Sequence, residues 1–251
     1  MRTFGLIGRS LSHSFSQTYF SQKFDQLGLV DCRYELFELA SPAELPQLLA
    51  QHPTLAGLNV TIPYKEKIWP YLTRVASSAV LVGAVNVIEL LPDGSLVGHN
   101  TDYLGFRDSL RCFYPGRGLA SRALVLGTGG AAKAVSVALR ELDIPHRLVS
   151  RDPLSTHLTY AELTPELLAS HPLIINTTPL GTYPNVAEHP PIPYEALTPA
   201  HYLFDLVYNP RETRFLELGR AAGAQTHNGF EMLERQAEAA WAIWNGLPLP
   251  S

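Results

Sequence analysis

Short apolar segments alternate with helical segments in the first part of the chain. The segments TFGLIG, RYELFEL and AGLNVTI have the apolar content and the alternation of β-strands. Helices are predicted from about Gln17 to Leu27 and from about Pro42, where apolar residues recur at helical spacing. Strands that alternate with helices are typical of an open α/β sheet. We therefore predict an α/β fold for this part of the chain.

A second series of strands and helices occupies the middle of the chain. The stretch RALVLGTGGAAKAVSVALREL, from Arg122 on, combines an apolar strand, a glycine turn and an amphipathic helix. The strands HRLVS, PLIINTT and YLFDLVY follow at the spacing of βαβ units. This order predicts a Rossmann-type, doubly wound dinucleotide-binding domain. The last long helix, about Phe230 to Asn245, is predicted to end before Gly246.

Polar side chains share one face of a predicted strand and its neighbours. In LNVTI, Asn59 and Thr61 alternate with apolar residues, so both point to one side of the strand. A hairpin is predicted around the DG pair at 93–94, and a two- or four-residue loop there would place Asn86 opposite Thr101. A three-residue loop would shift this pairing by one residue. The face needs hydrogen-bonding partners, whether solvent or a ligand.

Four further polar residues stand at positions that need a reason. Lys65 comes where a helix is predicted to begin, although the dipole at a helix start disfavours a positive charge. Ser14 and Ser16 precede the first helix, with Ser16 as the predicted N-cap, and hydroxyls beside a helix start either cap the helix or bind a carboxylate. Gln236 lies on the apolar stripe of the last helix, so it needs a backbone or ligand partner.

The glycine turn after the first Rossmann strand carries a dinucleotide-binding pattern. Gly127, Gly129 and Ala132 fit G-x-G-x-x-G/A between a strand and a helix, where glycines let a pyrophosphate approach the backbone amides. The next strand ends in VSRDP. Arg151 favours the extra phosphate of NADP, whereas Asp152 favours the ribose hydroxyl of NAD. NADP is the preferred prediction, with NAD as the alternative.

Composition and charge narrow the class of protein. The chain has 251 residues, 46% hydrophobic, and 19 Lys+Arg against 23 Asp+Glu give a net charge of -4. Neither sign forms a long block, so we expect small-molecule partners and no nucleic acid or membrane. The separated Cys32 and Cys112 are expected to be free thiols, and the start of the chain has no secretory apolar region, so we expect a cytoplasmic protein. The histidines lack ligand spacing, and we expect no metal site.

Together these motifs resemble the shikimate dehydrogenase family. The resemblance runs nearly end to end through SHSFS, NVTIPYKEKI, GAVNVI, GHNTDYLGF, GTGGAAKA, NTTPLGT, DLVYNPRETRFL and NGFEMLERQA, in the family's order and spacing. It implies a substrate domain at 1–103 completed by the C-terminal helix at 230–251, an NADP-binding Rossmann domain at 104–229, and catalysis in the cleft between them. The implied reaction is the reversible reduction of 3-dehydroshikimate to shikimate, on the route to chorismate and aromatic amino acids.

The resemblance also implies roles for individual residues. Lys65 and Asp102 correspond to the family's catalytic pair. The positions that hold the substrate correspond to Ser14, Ser16, Thr61, Asn86, Tyr208 and Gln236. The positions that hold the cofactor correspond to Gly127, Thr128, Gly129, Gly130, Ala131, Ser150, Arg151, Leu206 and Gly229. The chain has SRD where the family usually has NRT, so Asp152 brings a negative charge to the phosphate site.

Two other functions are consistent with the same residues. A quinate/shikimate dehydrogenase that uses NAD would differ by only a few contacts. A non-catalytic homologue that senses NADP or a metabolite would keep the fold, but it would not need the proton-transfer pair. The expected assembly is a monomer or a homodimer.

Overall fold

The chain divides into two compact units, each with its own sheet. The computed structural model describes residues 1–11, 14–116, 121–152 and 157–250. One unit comprises Met1–Thr101 with Gln236–Ser251, and the other comprises Asp102–Arg235. Within the described ranges, no helix combines the length and the apolar composition needed to cross a bilayer.

The first unit is a mixed sheet with helices between its strands. Its elements in chain order are β1 (Arg2–Gly8), α1 (Phe15–Gln26), β2 (Cys32–Glu38), α2 (Leu45–Gln51), β3 (Leu55–Val60), β4 (Arg74–Val75), α3 (Ser77–Val82), β5 (Val87–Leu90) and β6 (Leu96–His99). The described strands lie in the order β2-β1-β3-β5-β6-β4. β1 runs parallel to β2 and β3, whereas β5 is antiparallel to β3 and β6. The predicted α/β class is confirmed for this unit.

Aromatic side chains join the end of the chain to the sheet of the first unit. The C-terminal helix of the chain covers Phe230–Trp244, and its residues from Gln236 on belong to this unit. Trp244 stacks on Phe4 with ring centroids 5.0 Å apart. It also lies where a Cβ on Gly57 would overlap its indole ring, so the strand needs a glycine there. The helix is thereby packed against β1 and β3.

The hairpin between β5 and β6 has a three-residue loop. Leu91 N donates to Ser95 O at 2.9 Å, which leaves residues 92–94 as the loop. Its glycine has φ of 83°, the left-handed conformation that such loops require. The prediction that Asn86 lies opposite Thr101 in the ladder is therefore wrong by one residue.

The segment after β3 forms turns instead of the predicted helix. Residues 62–68 are turns and a bend, followed by a short 3-10 helix at Trp69–Tyr71. Ile68 N donates to Tyr64 O at 2.9 Å, so one helical turn closes. Pro70 then offers no N–H with which to continue it. The prediction that Lys65 begins a helix is wrong, and its charge faces no helix dipole of its own segment.

The second unit is a parallel sheet with the Rossmann strand order. Its elements are α4 (Asp102–Phe113), β7 (Ala123–Leu126), α5 (Gly130–Glu141), β8 (His146–Ser150), β9 (Leu158–Thr159), α6 (Pro165–Ala169), β10 (Leu173–Asn176), β11 (Tyr202–Asp205), α7 (Arg214–Ala221) and β12 (Gln225–His227), before the C-terminal helix, α8. All neighbours in the order β12-β11-β10-β7-β8-β9 are parallel. The order reverses between β7 and β10, which is where such sheets bind ligands. The predicted Rossmann-type fold is confirmed.

A buried carboxylate closes the carboxyl end of β11. Asp205 is fully buried and accepts hydrogen bonds from Asn176 Nδ2 at 2.9 Å, Val207 N at 3.0 Å and Thr213 Oγ1 at 2.5 Å. Burial raises the pKa of Asp205 to about 6, while its three donors oppose that rise. The ionised carboxylate is therefore held mainly by these donors.

Replacing Thr213 with valine should lower the free energy of unfolding more at about pH 8 than at about pH 5. The lost hydroxyl stabilises ionised Asp205 by about 1.5–3 kcal/mol, and this contribution fades when the carboxyl is protonated below its pKa. The cap that Thr213 gives to Leu216 N is lost at both pH values. Urea unfolding measures the difference, and Thr213→Ser, which keeps the hydroxyl, should keep the pH dependence of the wild type while the loss of its buried methyl group lowers the free energy of unfolding equally at both pH values. An equal loss in Thr213→Val at both pH values would contradict this account.

Candidate functional site

A buried amide organises the polar residues of the first unit. Asn86 is only 3% exposed and comes directly before β5. Its Oδ1 accepts from Thr101 N at 2.7 Å, and its Nδ2 donates to Thr101 Oγ1 at 3.0 Å and to Gln236 Oε1 at 3.4 Å. Its carbonyl accepts from Val60 N at 2.9 Å. Asn86 thus joins the ends of β3 and β6 to α8, and it brings Gln236 into the polar group.

Lys65 is held beside this group by its backbone. Its carbonyl accepts from Val85 N at 2.7 Å, one residue before Asn86. Lys65 itself is half-buried, in the turn after β3. The position of Lys65 is therefore set by its hydrogen bond to Val85, just before β5, and by the turn that ends at Pro70.

Thr61 lies where β1, β3 and the following loop meet. Its amide donates to Ile7 O at 3.0 Å. A Cβ on Gly8 would be 2.6 Å from Thr61 Cγ2 and 2.7 Å from Leu11 Cδ2, so only a glycine lets these side chains come so close. Leu11 N donates to Glu38 Oε1 at 2.7 Å, which ties Leu11 to β2. Leu11 and Thr61 therefore pack closely on either side of Gly8.

The two serines before and in α1 differ in their hydrogen bonding. Ser14 is the N-cap of α1, but its hydroxyl makes no capping bond, and Ser14 Oγ is a buried atom for which the described residues supply no partner. A buried hydroxyl without a partner costs free energy, so it indicates a site for a ligand group. The prediction that Ser16 is the N-cap is wrong, because the helix begins at Phe15 and includes Ser16. Ser12 and His13 of the SHSFS motif lie outside the described residues.

The glycine turn of the second unit has room for a pyrophosphate. A Cβ on Gly129 or on Gly130 would meet no atom within 4 Å. Gly129 is the N-cap of α5 and has no side chain with which to cap it, and the first turn of this helix contains no acidic residue. The exposed amides and the positive end of the dipole are therefore available to an anion. The turn, which also includes Thr128 and Ala131, fits the dinucleotide that the motif predicts.

Two glycines allow close contacts at the carboxyl ends of the strands of the parallel sheet. Gly127 has φ of 112°, and a Cβ there would lie 2.6 Å from Thr177 Oγ1, at the end of β10. A Cβ on Gly229 would overlap Leu206 O, so these two backbone segments touch. The first contact joins the carboxyl ends of β7 and β10, between which the strand order reverses, and the second joins the segments that follow β11 and β12. The predicted cofactor-binding residues Gly127, Leu206 and Gly229 thus all follow the carboxyl ends of strands of this sheet.

The residues that follow β8 are exposed. Arg151 and Asp152 both face solvent. Ser150 Oγ accepts from Asp152 N at 3.1 Å and donates to Asp152 O at 2.9 Å, which folds the segment into a tight turn. The guanidinium and the carboxylate therefore remain available to a ribose or a phosphate.

Two other predicted site residues belong to the second unit. Asp102 is the first residue of α4 and follows Thr101 directly in the chain. Its carboxylate is thus at a helix start, where a negative charge is favoured. Tyr208 comes three residues after the end of β11 and is half-buried, and burial raises the pKa of its phenol. The phenol therefore stays protonated near neutral pH.

Comparison with known proteins identifies the family. The family model described as the shikimate dehydrogenase substrate binding domain matches residues 6–88. A shikimate dehydrogenase (NADP(+)) from Clostridium beijerinckii is 39% identical over 97% of this chain and 92% of its own length. The chain belongs to the shikimate dehydrogenase family. This confirms the resemblance that the motifs predict.

Solved structures of the shikimate dehydrogenase family share the fold over the whole chain. Shikimate dehydrogenase 1 from Peptoclostridium difficile has a TM-score of 0.85 and 34% identity, covering 100% of this chain and 94% of that one. Shikimate 5-dehydrogenase from Thermus thermophilus, in complex with NADP(H) and shikimate, has a TM-score of 0.85 and 31% identity, covering 100% and 95%.

Some residues that bear on the site were not predicted. Tyr34 contacts Asn59 in the polar group of the first unit, and Asp205 organises the end of β11. Tyr34 stands in an alternating strand pattern that predicts an ordinary core aromatic, so its hydroxyl gave no signal in the sequence. The strand pattern places Asn59 on one face with Thr61, but it does not predict the hydrogen-bond partners of Asn59. Among the described residues, no group of three or more histidine, cysteine or acidic side chains could hold a metal ion.

Replacing Gly129 with alanine should weaken NADP binding without destabilising the chain. The new methyl group has free space in the protein but would occupy the space of the pyrophosphate. We expect the KM for NADP to rise about tenfold or more, because a close backbone contact to an anion is lost, while the free energy of unfolding changes by less than about 1 kcal/mol. Initial-rate kinetics and urea unfolding measure the two effects.

Ser136→Ala, in the same helix but away from its start, is the matched control and should leave the KM for NADP unchanged. An unaltered KM for NADP in Gly129→Ala would place the pyrophosphate elsewhere.

Proposed function

We propose that this protein catalyses the NADP-dependent, reversible reduction of 3-dehydroshikimate to shikimate, on the route to chorismate and aromatic amino acids. The main support is its similarity over nearly the full chain to relatives named shikimate dehydrogenase (NADP(+)). The Ser14 hydroxyl, for which the described residues supply no partner, and the open glycine turn add physical support, because the first suits a carboxylate and the second suits a pyrophosphate.

In this proposal the first unit binds the substrate. Shikimate carries one carboxylate and several hydroxyls. Ser14 and Ser16, at the start of α1, suit the carboxylate because hydroxyls and helix-start amides both donate to it. Thr61, Asn86 and Gln236 supply hydroxyl and amide groups that hydrogen-bond alcohols, and Tyr208 of the second unit contributes its protonated phenol.

The second unit binds the cofactor in this proposal. NADP supplies or accepts the hydride when it is bound. The turn from Gly127 to Ala131 would hold the pyrophosphate, and Arg151 with Ser150 would hold the phosphate on the ribose. Arg151 is exposed and can pair bidentately with a phosphate, which outweighs the charge of neighbouring Asp152. Leu206 and Gly229 would lie beside the nicotinamide.

Lys65 is the proposed acid and base. Reduction of the ketone creates an alkoxide that needs a proton, and the reverse reaction needs a group that removes it. An ammonium at Lys65 donates the proton and also stabilises the negative charge on oxygen. Asp102 is proposed to orient this ammonium and to share in the proton movement, since a carboxylate is its natural charged partner.

The expected surroundings of the enzyme follow from the same assignment. We propose a cytoplasmic location, because the pathway is metabolic and Cys32 and Cys112 are both free thiols, as a reducing compartment favours. We expect a monomer or a homodimer in solution, which light scattering distinguishes.

The function is tested by following reduced-cofactor absorbance with shikimate or quinate as substrate and NADP or NAD as oxidant. The proposal predicts rapid turnover of shikimate with NADP, with much lower kcat/KM for NAD and for quinate. Preference for NAD or quinate would instead make the protein a quinate/shikimate dehydrogenase. Dinucleotide binding without turnover of either substrate would indicate a sensor.

Replacing Lys65 with alanine should reduce kcat by at least about a hundredfold, the lower range of general acid-base catalysis, and should change the KM for shikimate much less. Lys67→Ala removes the same charge from an exposed position two residues on and should keep wild-type kinetics. A Lys65→Ala enzyme with near-normal kcat would remove Lys65 from the mechanism.

A further inference from the structure

The two oxygens of the buried carboxylate in the second unit hold different parts of the chain. Asp205 is the last residue of β11. Its Oδ1 accepts from Asn176 Nδ2 at 2.9 Å and from Val207 N at 3.0 Å, whereas its Oδ2 accepts from Thr213 Oγ1. Burying a carboxylate costs free energy that an apolar residue would not cost, so these bonds indicate a task beyond filling space. Only Oδ1 is bonded to the residues at the ends of β10 and β11.

The amide of Asn176 connects the loop after β10 to this carboxylate. Asn176 Oδ1 accepts from Thr178 N at 3.0 Å and from Thr178 Oγ1 at 2.6 Å. A backbone amide can only donate, so the oxygen of Asn176 must face Thr178 and its nitrogen must face Asp205. Leu180 N donates in turn to Thr178 Oγ1 at 3.4 Å. The hydrogen bonds therefore run in one direction, from the loop through Asn176 to Asp205.

The same carboxylate oxygen fixes the chain that follows β11. Leu206 N donates to Asn176 O at 2.9 Å, and the next amide, Val207 N, donates to Asp205 Oδ1. Val207 O accepts from Gly229 N at 3.2 Å. The peptide groups on both sides of Leu206 are therefore hydrogen-bonded. The second of them depends on the carboxylate, and it belongs to the segment on which Gly229 is held.

We propose that Asp205 is a positioning residue that holds the backbone of Leu206 and Val207 in place for the nicotinamide of the cofactor. The inference rests on the proposed function, in which Leu206 and Gly229 lie beside the nicotinamide. A ring can be bound in one orientation only by a backbone that keeps one conformation. Asp205 is fully buried, so it acts through this backbone and not by contact with the ring.

The glycine turn for the pyrophosphate is held by other bonds. Thr177 N and Thr177 Oγ1 both donate to Leu126 O, at 2.9 Å and 2.7 Å, directly before Gly127. These bonds do not involve the carboxylate. Loss of the carboxylate should therefore disturb the nicotinamide end of the proposed cofactor site and leave the pyrophosphate end unchanged.

The experiment is Asp205→Ala, which removes the acceptor of Val207 N and of Asn176 Nδ2. Calorimetry measures the Kd for NADP and the Kd for 2′-phospho-ADP-ribose, which is NADP without its nicotinamide. The Kd for NADP should rise about threefold to tenfold, the range expected for one net hydrogen bond. The Kd for 2′-phospho-ADP-ribose should not change. A role in stability alone would move both Kd values or neither.

Two variants at the same carboxylate are the matched controls. Thr213→Val removes only the donor to Oδ2, so it should lower the free energy of unfolding and leave the Kd for NADP unchanged. Asp205→Asn is the conservative variant. Its amide oxygen can still accept from Asn176 Nδ2 and Val207 N while its nitrogen faces Thr213, so the Kd for NADP should stay within about twofold of the wild-type value.

Three results would overturn the inference while leaving the proposed function intact: an unchanged Kd for NADP in Asp205→Ala, an equal rise for both ligands, or the same rise in Thr213→Val. If the wild type binds NADP but turns over no shikimate, the proposed function fails, and the two Kd values still test Asp205. A wild type that binds no NADP would overturn both. Should Asp205→Ala not fold, Asn176→Ala removes one of the two donors to Oδ1 together with the acceptor of Thr178, and it should raise the Kd for NADP in the same selective way.

Discussion

The first unit depends on the need to satisfy one buried amide. Asn86 is buried, and each unmade hydrogen bond of a buried amide would cost free energy. The partners of its side-chain amide are Thr101, two residues after β6, and Gln236 in α8, while its backbone carbonyl accepts from Val60 N at the end of β3. Each partner arrives from a different part of the chain. Satisfying the amide therefore brings Gln236 of α8 to the segment that follows β6.

The second unit follows a different constraint, which is the approach of backbone to backbone. Gly127 and Gly229 stand where a Cβ would overlap Thr177 or Leu206, and Gly129 and Gly130 leave space beside a helix start. The parallel strand order creates this edge, because it reverses between β7 and β10. The proposed cofactor site is thus made largely of main chain, whereas the proposed substrate site is made largely of polar side chains.

Local signals predicted the fold well and the details of the site less well. The strand, glycine turn and helix around Gly127 were evident because each pattern is continuous in the sequence. The pairing predicted between β5 and β6 was wrong by one residue, because a DG pair occurs in hairpin loops of more than one length. The helix predicted at Lys65 does not form because Pro70 ends it after one turn. The hydrogen bond from Tyr34 to Asn59 was missed because it joins residues distant in the chain, which no local pattern encodes.

The most direct test of the account is a crystal structure of the protein with shikimate and NADP. We predict the shikimate carboxylate within hydrogen-bonding distance of Ser14 Oγ, and the hydroxyl to be oxidised within about 2.6–3.2 Å of Lys65 Nζ, as proton transfer requires. Shikimate bound away from the Asn86 group, or bound there with Lys65 out of reach of any hydroxyl, would contradict the account.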